Sequence, residues 1–271
     1  MKTQTIRVET RGPIATIRLD RPEVRNAFNE VLIAELTRVF TGFGPETRAV
    51  VLTGEGPVFC AGADVSWMKK SVGASEAENA RDAAAMGAMF RAIDRCPCPV
   101  IGRVNGAALG GGMGLIATCD IVVAVEGAQF GFTEVRLGIV PAVISSFVLR
   151  KIGPGPARRY FLTGEVFGPG DARTMGLVHE VARDAGDLDA KVEELVAALL
   201  KCGPRAVATA KALIREILAL APDAALEHAV QTIARVRVSP EGQEGLGAFL
   251  DKRKPSWIDA EGGGGVTRRS E

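Results

Sequence analysis

Histidine is almost absent from this chain. Its 271 residues include two, His179 and His228, far apart, and five cysteines without metal-type spacing. Zinc-type sites rely chiefly on clusters of those residue types, so no metal centre is expected. The odd cysteine number, with Cys96-Pro-Cys98 not forming a CxxC pair, points to a reducing compartment rather than a disulfide framework. A dominant charge sign is missing as well. The 33 Lys and Arg against 32 Asp and Glu leave a net +1. Nothing in that balance points to the basic surface of a nucleic-acid binder or the polybasic face of a membrane-surface protein. Long apolar runs are also lacking. The least charged stretch, 104–119, holds Asn105 and five glycines and is too short to span a bilayer. The opening MKTQTIRVET has no apolar h-region, so no secretory signal is expected and the cytoplasm is the default location.

What remains is an ordinary globular composition, 47% apolar and 24% charged, long enough for one sizeable domain or a domain with an appended lobe. The first half alternates short β-rich runs with helical periodicity. Residues 5–8 and 14–19 read as strands paired across a Gly12-Pro13 turn. The run 29–40 places Leu32, Leu36, Val39 and Phe40 at helical spacing, and 76–93 reads as a second helix ending before the proline-rich 96–99. Apolar runs at 49–52, 100–104 and 121–125 read as buried strands, giving an α/β core. The second half turns helical, at 143–149 and 157–162 around Gly153-Pro154-Gly155-Pro156. Leu188, Val192, Leu195, Val196 and Leu199 mark a further amphipathic helix, and 204–220 and 223–236 read as two more. Ser239-Pro240-Glu241 has an N-cap serine and an N1 proline, with the helix running through Phe249 and Leu250.

Two small-residue turns could carry chemistry. Phe59-Cys60-Ala61-Gly62-Ala63-Asp64 follows a strand and lets the backbone approach a ligand. The second, Asn105 to Met113, carries Gly110-Gly111-Gly112 and leads into a short apolar helix over 113–118. A glycine-rich helix N-terminus offers unpaired N–H groups and a positive dipole end, which suit a developing anion. Taken alone, each turn equally suits tight packing. Gly112 to Ala117 matches GxGxxA, yet the helix there is too short for a dinucleotide crossover, and no GK[ST] follows to make a P-loop. Cys60 lacks a histidine partner pattern and reads as a small buried hydrophobe. The third feature is Glu134, between Phe130-Gly131-Phe132 and Val135. By itself it reads first as a solvated turn residue paired with Arg136. In an apolar surround, desolvation would raise its pKa toward the range useful for proton transfer.

In their order and spacing these segments resemble the crotonase superfamily, the enoyl-CoA hydratase/isomerase family, over nearly the whole chain. The resemblance rests on Arg21-Pro22 with Asn26-Ala27-Phe28-Asn29, the AGAD and NGAALGGG turns, Cys119-Asp120-Ile121, Gln129-Phe130-Gly131 with Glu134, and 245–254. It implies an α/β fold: a ββα spiral core with an acyl-CoA site over 1–195, a helical trimerisation region over 196–258, and a flexible tail over 259–271. The backbone N–H groups of Ala63 and Gly111 match the oxyanion hole. Glu134 matches the second of two catalytic glutamates, while the position of the first holds Gly114.

The resemblance further implies that Ala61, Ala63, Asp64, Val65 and Ser66 line the adenine and pantetheine path, and that Arg25 is a phosphate candidate. Phe249 and Lys252 would reach the CoA of a neighbouring subunit, although Lys252-Arg253-Lys254 equally reads as a solvated basic end. No cofactor is implied beyond the coenzyme A of the substrate. The expected partners are an acyl-CoA and further copies of the chain, as a homotrimer or a hexamer built as a dimer of trimers, with no nucleic acid or membrane. The implied activity is enoyl-CoA hydration. The segments 64–69 and 134–145 are similar to hydratases of branched substrates such as 3-methylglutaconyl-CoA, whose carboxylate Arg136 or Lys69 could face. With one glutamate, a double-bond isomerase or a non-catalytic acyl-CoA-binding paralogue also fits.

Overall fold

Residues 3–259 are described by a computed structural model. The chain begins with β1 (Ile6–Arg11) and β2 (Ile14–Leu19), an antiparallel hairpin closed by Gly12-Pro13 with Arg11 opposite Ile14. β1 reaches three residues past the expected 5–8. Only Ile6 in it is buried, so the pairing continues through backbone bonds after the apolar signal has ended. Asn29 caps α1 (Glu30–Thr41) by accepting the Leu32 N–H at 2.9 Å, and the helix buries Leu32, Leu36, Val39 and Phe40.

Then follow β3 (Ala49–Gly54), β4 (Val58–Cys60), α2 (Val65–Ser71) and α3 (Glu76–Asp94), the last opened by a Ser75/Glu78 capping box. Next come β5 (Val100–Val104), β6 (Ala107–Leu109), α4 (Gly111–Thr118), β7 (Ile121–Val125) and β8 (Phe130–Gly131). α5 (Ala142–Ile152) and α6 (Pro154–Thr163) are followed by β9 (Val166–Phe167), α7 (Pro169–Thr174), β10 (Glu180–Ala182) and α8 (Ala185–Leu200). The Gly153–Pro156 segment is less of a separator than its composition suggests. Gly153 ends α5, and Pro154 and Pro156 already lie in the first turn of α6, where a missing N–H costs nothing.

Two sheets organise these elements. The larger has the order β1-β2-β3-β5-β7-β10, and the smaller β4-β6-β8-β9. After the hairpin, each turn of the chain adds one strand to each sheet. β3 and β4, β5 and β6, and β7 and β8 are three such pairs, the second and third stacked in parallel register on the pair before, and each is followed by helices. This is the ββα spiral. The fully buried phenylalanines Phe28, Phe40, Phe59, Phe90, Phe130 and Phe132 belong to one continuous core beneath it.

The chain divides into two compact units, Met1–Glu194 and Leu195–Glu271, with the division inside α8. The second unit holds α9 (Pro204–Ile217), α10 (Pro222–Arg237), α11 (Pro240–Leu250) and α12 (Ser256–Asp259). Ser239 accepts the Gly242 N–H at 3.0 Å, which makes it the N-cap of α11. Glu241, in the first turn of α11, accepts the Arg205 and Ala206 amides at the start of α9, at 3.0 and 2.7 Å. A carboxylate on a helix N-terminus is favoured by the dipole, so this contact ties α11 to α9. Of the tail expected over 259–271, residues 260–271 lie outside the described residues.

Candidate active site

The three features singled out in the sequence follow three neighbouring strands. Residues 61–64 follow β4, and Gly110 and Gly111 follow β6. Glu134 opens a 3-10 turn, Glu134–Leu137, with Phe132 and Thr133 standing between it and the end of β8. Because β4, β6 and β8 are parallel, all three features leave the same edge of the smaller sheet. Residues 61–63, Gly110, Gly111 and Glu134 line one cavity of about 340 Å³ with Phe28, Trp67, Met86, Leu137 and Ile144.

Backbone geometry aims the first amide. Phe28 and Ala63 form an isolated parallel bridge, in which the Phe28 N–H donates to Gly62 O at 2.7 Å and the Asp64 N–H to Phe28 O at 2.8 Å. In such a bridge the N–H of Ala63 itself points away from Phe28. The second amide belongs to Gly111, the first residue of α4, whose N–H has no partner within the helix. α4 begins two residues before the expected 113, which puts Gly111 and Gly112 in its first turn. Phe28 also seats this second turn, because a methyl group on Gly111 would overlap its ring. One residue thus braces both amides, by its backbone on one side and its ring on the other.

Glu134 is half-buried, and its Oε2 is buried without a hydrogen-bond partner. Its Oε1 lies 3.6 Å from where a side chain on Gly110 would begin, which places the carboxylate beside the second turn. Desolvation pushes its pKa above the ordinary 4.5. The expected pairing with Arg136 does not form, since Arg136 is exposed and outside the cavity lining. Among the described residues, Glu134 is the only ionisable side chain lining the cavity. The place where a first glutamate would stand is closed: a Cβ on Gly114 would sit 2.5 Å from Ile144 Cγ2 and 2.6 Å from Phe90 Cζ.

The other residues named from the sequence fall in different places. Ala61 lines the cavity, and its N–H donates to Arg25 O at 3.0 Å. Arg25 itself is exposed, at φ 57°, outside the lining. Asp64 is buried and already engaged. It caps α2 by accepting the Ser66 N–H at 2.7 Å and pairs with Arg21 at 2.7 Å. Burial alone would raise the Asp64 carboxyl, but these bonds hold it below its ordinary value. Val65 and Ser66 are exposed in the first turn of α2 and do not line the cavity. Phe249 and Lys252 belong to the second unit, Phe249 exposed at the end of α11 and Lys252 at φ 55° just beyond it. Cys60 is fully buried and its thiol is pushed up to about 12, which removes it as a nucleophile. Sequence reasoning missed Phe28 as a brace, and Trp67, Met86 and Ile144 as lining. Apolar residues give no chemical signal until the chain folds.

Comparison with known proteins gives concordant matches. The family model for enoyl-CoA hydratase/isomerase matches residues 9–260. Crotonyl-CoA hydratase of Syntrophomonas wolfei is 33% identical over 263 residues, covering 95% of this chain and 99% of that protein. The 2,3-dehydroadipyl-CoA hydratase of Escherichia coli is 32% identical over 247 residues, covering 90% and 94%. The crystal structure of an enoyl-CoA hydratase from Shewanella pealeana superposes with a TM-score of 0.89 at 38% identity, covering 94% of this chain and 97% of that one.

Proposed function

The chain belongs to the enoyl-CoA hydratase/isomerase family, and from that premise we propose that it adds water across the 2,3 double bond of an apolar enoyl-CoA thioester with Glu134 as its one acid–base group. The observation that carries this reading is the buried, unpartnered Glu134 oxygen in an apolar cavity that also holds Ala63 and Gly111. The thioester oxygen takes the N–H groups of Ala63 and Gly111. As water attacks the β-carbon, negative charge moves onto that oxygen as an enolate, where the two amides and the start of α4 hold it. Ionised Glu134 takes the water's proton and then returns a proton to the α-carbon on the same face. The raised pKa suits both halves of this cycle, because the group must accept and then donate.

The cavity also bears on the acyl group. Among the described residues its lining contains no Lys, Arg or His, and neither Arg136 nor Lys69 belongs to it. A carboxylated group such as 3-methylglutaconyl would bury its charge unpaired there, so we place a branched or straight apolar chain in the site. Isomerisation is the second reading, favoured by the single carboxylate. Assembly as a homotrimer or hexamer is part of this proposal, supported by exposed Leu226, Val230 and Ile233 on α10.

The test is a panel of 2-enoyl-CoA esters, short, branched and carboxylated, together with 3-enoyl esters, followed by the change in conjugated-thioester absorbance in ¹⁸O-labelled water. Label at the β-carbon of apolar substrates is expected. Turnover of 3-enoyl esters without label would establish the isomerase instead, and no turnover of any ester would overturn both readings.

A further inference from the structure

A second cavity of about 550 Å³ lies in the same unit, between α1 and α3. Its lining is mixed: buried Ile33, half-buried Ala88 and exposed Ala34 and Ala85 share it with Glu30, Thr37, Arg38, Thr41 and Asp82. Trp67 is the one residue common to its lining and to that of the catalytic cavity. On α3 the residues alternate between the two spaces: Ala83 and Met86 line the catalytic one, Asp82, Ala85 and Ala88 the other. An indole on α2 therefore stands where the two spaces adjoin.

α2 is lightly held. None of its residues is buried. Its attachments are the Asp64 cap, half-buried Trp67 and Met68, and an exposed Lys70–Glu30 ion pair of 2.5 Å. The following link is open, with Val72 84% exposed and nothing within 4 Å of a side chain placed on Gly73. Few buried contacts make a segment open at low free-energy cost.

We propose that Trp67 partitions the acyl site, and that the cavity beyond it takes the distal alkyl segment of long-chain enoyl-CoA thioesters when the indole swings aside. The inference rests on the acyl-CoA reading of the catalytic cavity. The indole in place closes the site around a short chain. Removing it joins the spaces, and each methylene then housed adds up to about fourfold to kcat/KM.

The experiment measures kcat/KM against acyl length, from short to long chains, for the wild type, Trp67→Phe and Trp67→Ala, and for Trp67→Ala with Ala85→Leu to narrow the second cavity. The long-to-short ratio is expected to rise about tenfold or more in Trp67→Ala, to rise less in Trp67→Phe, and to fall back in the double variant. A length profile unchanged by any of these replacements overturns the inference and leaves the hydratase reading standing. A wild type inactive on every chain length overturns both.

Discussion

The two units use apolar residues in opposite ways. In Met1–Glu194 the strands and helices bury their apolar faces in one core, down to complete burial of Leu32, Leu52, Phe90 and Phe130. In the unit from Leu195 onward the helices are also amphipathic, yet among the described residues only Ala248 is a buried apolar side chain, and Ile214, Leu218, Leu226, Val238 and Leu250 are exposed. A helix can carry a well-formed apolar stripe without its own unit supplying what covers it. The first unit's stability should therefore be sensitive to interior volume, and the second's to assembly.

The sharpest way to break that comparison is Gly114→Glu. If the catalytic unit were loosely packed, the second glutamate would restore a two-carboxylate site. The Phe90 ring and Ile144 methyl leave no room, so the expected result is a loss of about 3 kcal/mol or more of stability, read by chemical denaturation, and no gain in activity. Glu134→Gln comes next. It should lower kcat by about 10²–10⁴ while the protein stays folded. The wild-type kcat/KM should fall toward acid with a midpoint above 4.5. The sign for stability is the reverse of a salt-bridged carboxylate: a folded pKa above the unfolded one favours the neutral form, so stability declines as pH rises through the folded pKa. Glu134→Gln should accordingly melt slightly higher than wild type at neutral pH and equally below about pH 4, which calorimetry at the two pH values checks.

A smaller effect is expected at the brace. Phe28→Leu keeps the backbone bridge to Ala63 but withdraws the ring under Gly111, and kcat should drop about tenfold with KM nearly unchanged in steady-state assays. The smallest intrinsic effect belongs to the second unit. Ile233→Glu on α10 should shift the stability of an isolated chain by only about 0.5 kcal/mol, yet lower the mass seen by light scattering. An unchanged mass would mean that nothing covers this stripe.

Much of the core was legible before folding. α1 and α3 were marked by helical period, and β3, β5 and β7 by apolar runs, because each is long enough to show a pattern. The smaller sheet was not, since β4, β6, β8 and β9 have two or three residues each. Glu134 and the two turns drew notice by residue type, but alone they read equally or better as a solvated turn and tight packing, and the family resemblance supplied their roles. That Gly114 is shut in by Phe90 and Ile144, and that Asp64 is tied to Arg21, depends on neighbours distant along the chain, which no local pattern reveals.

The parallel stacking of β4, β6 and β8 has a consequence for how such an enzyme changes over time. Each candidate group follows its own strand, so the stretch after one strand can be rewritten while the others keep their places. Diversity of chemistry then needs no new architecture, only a different residue beyond one rung of an unchanged ladder.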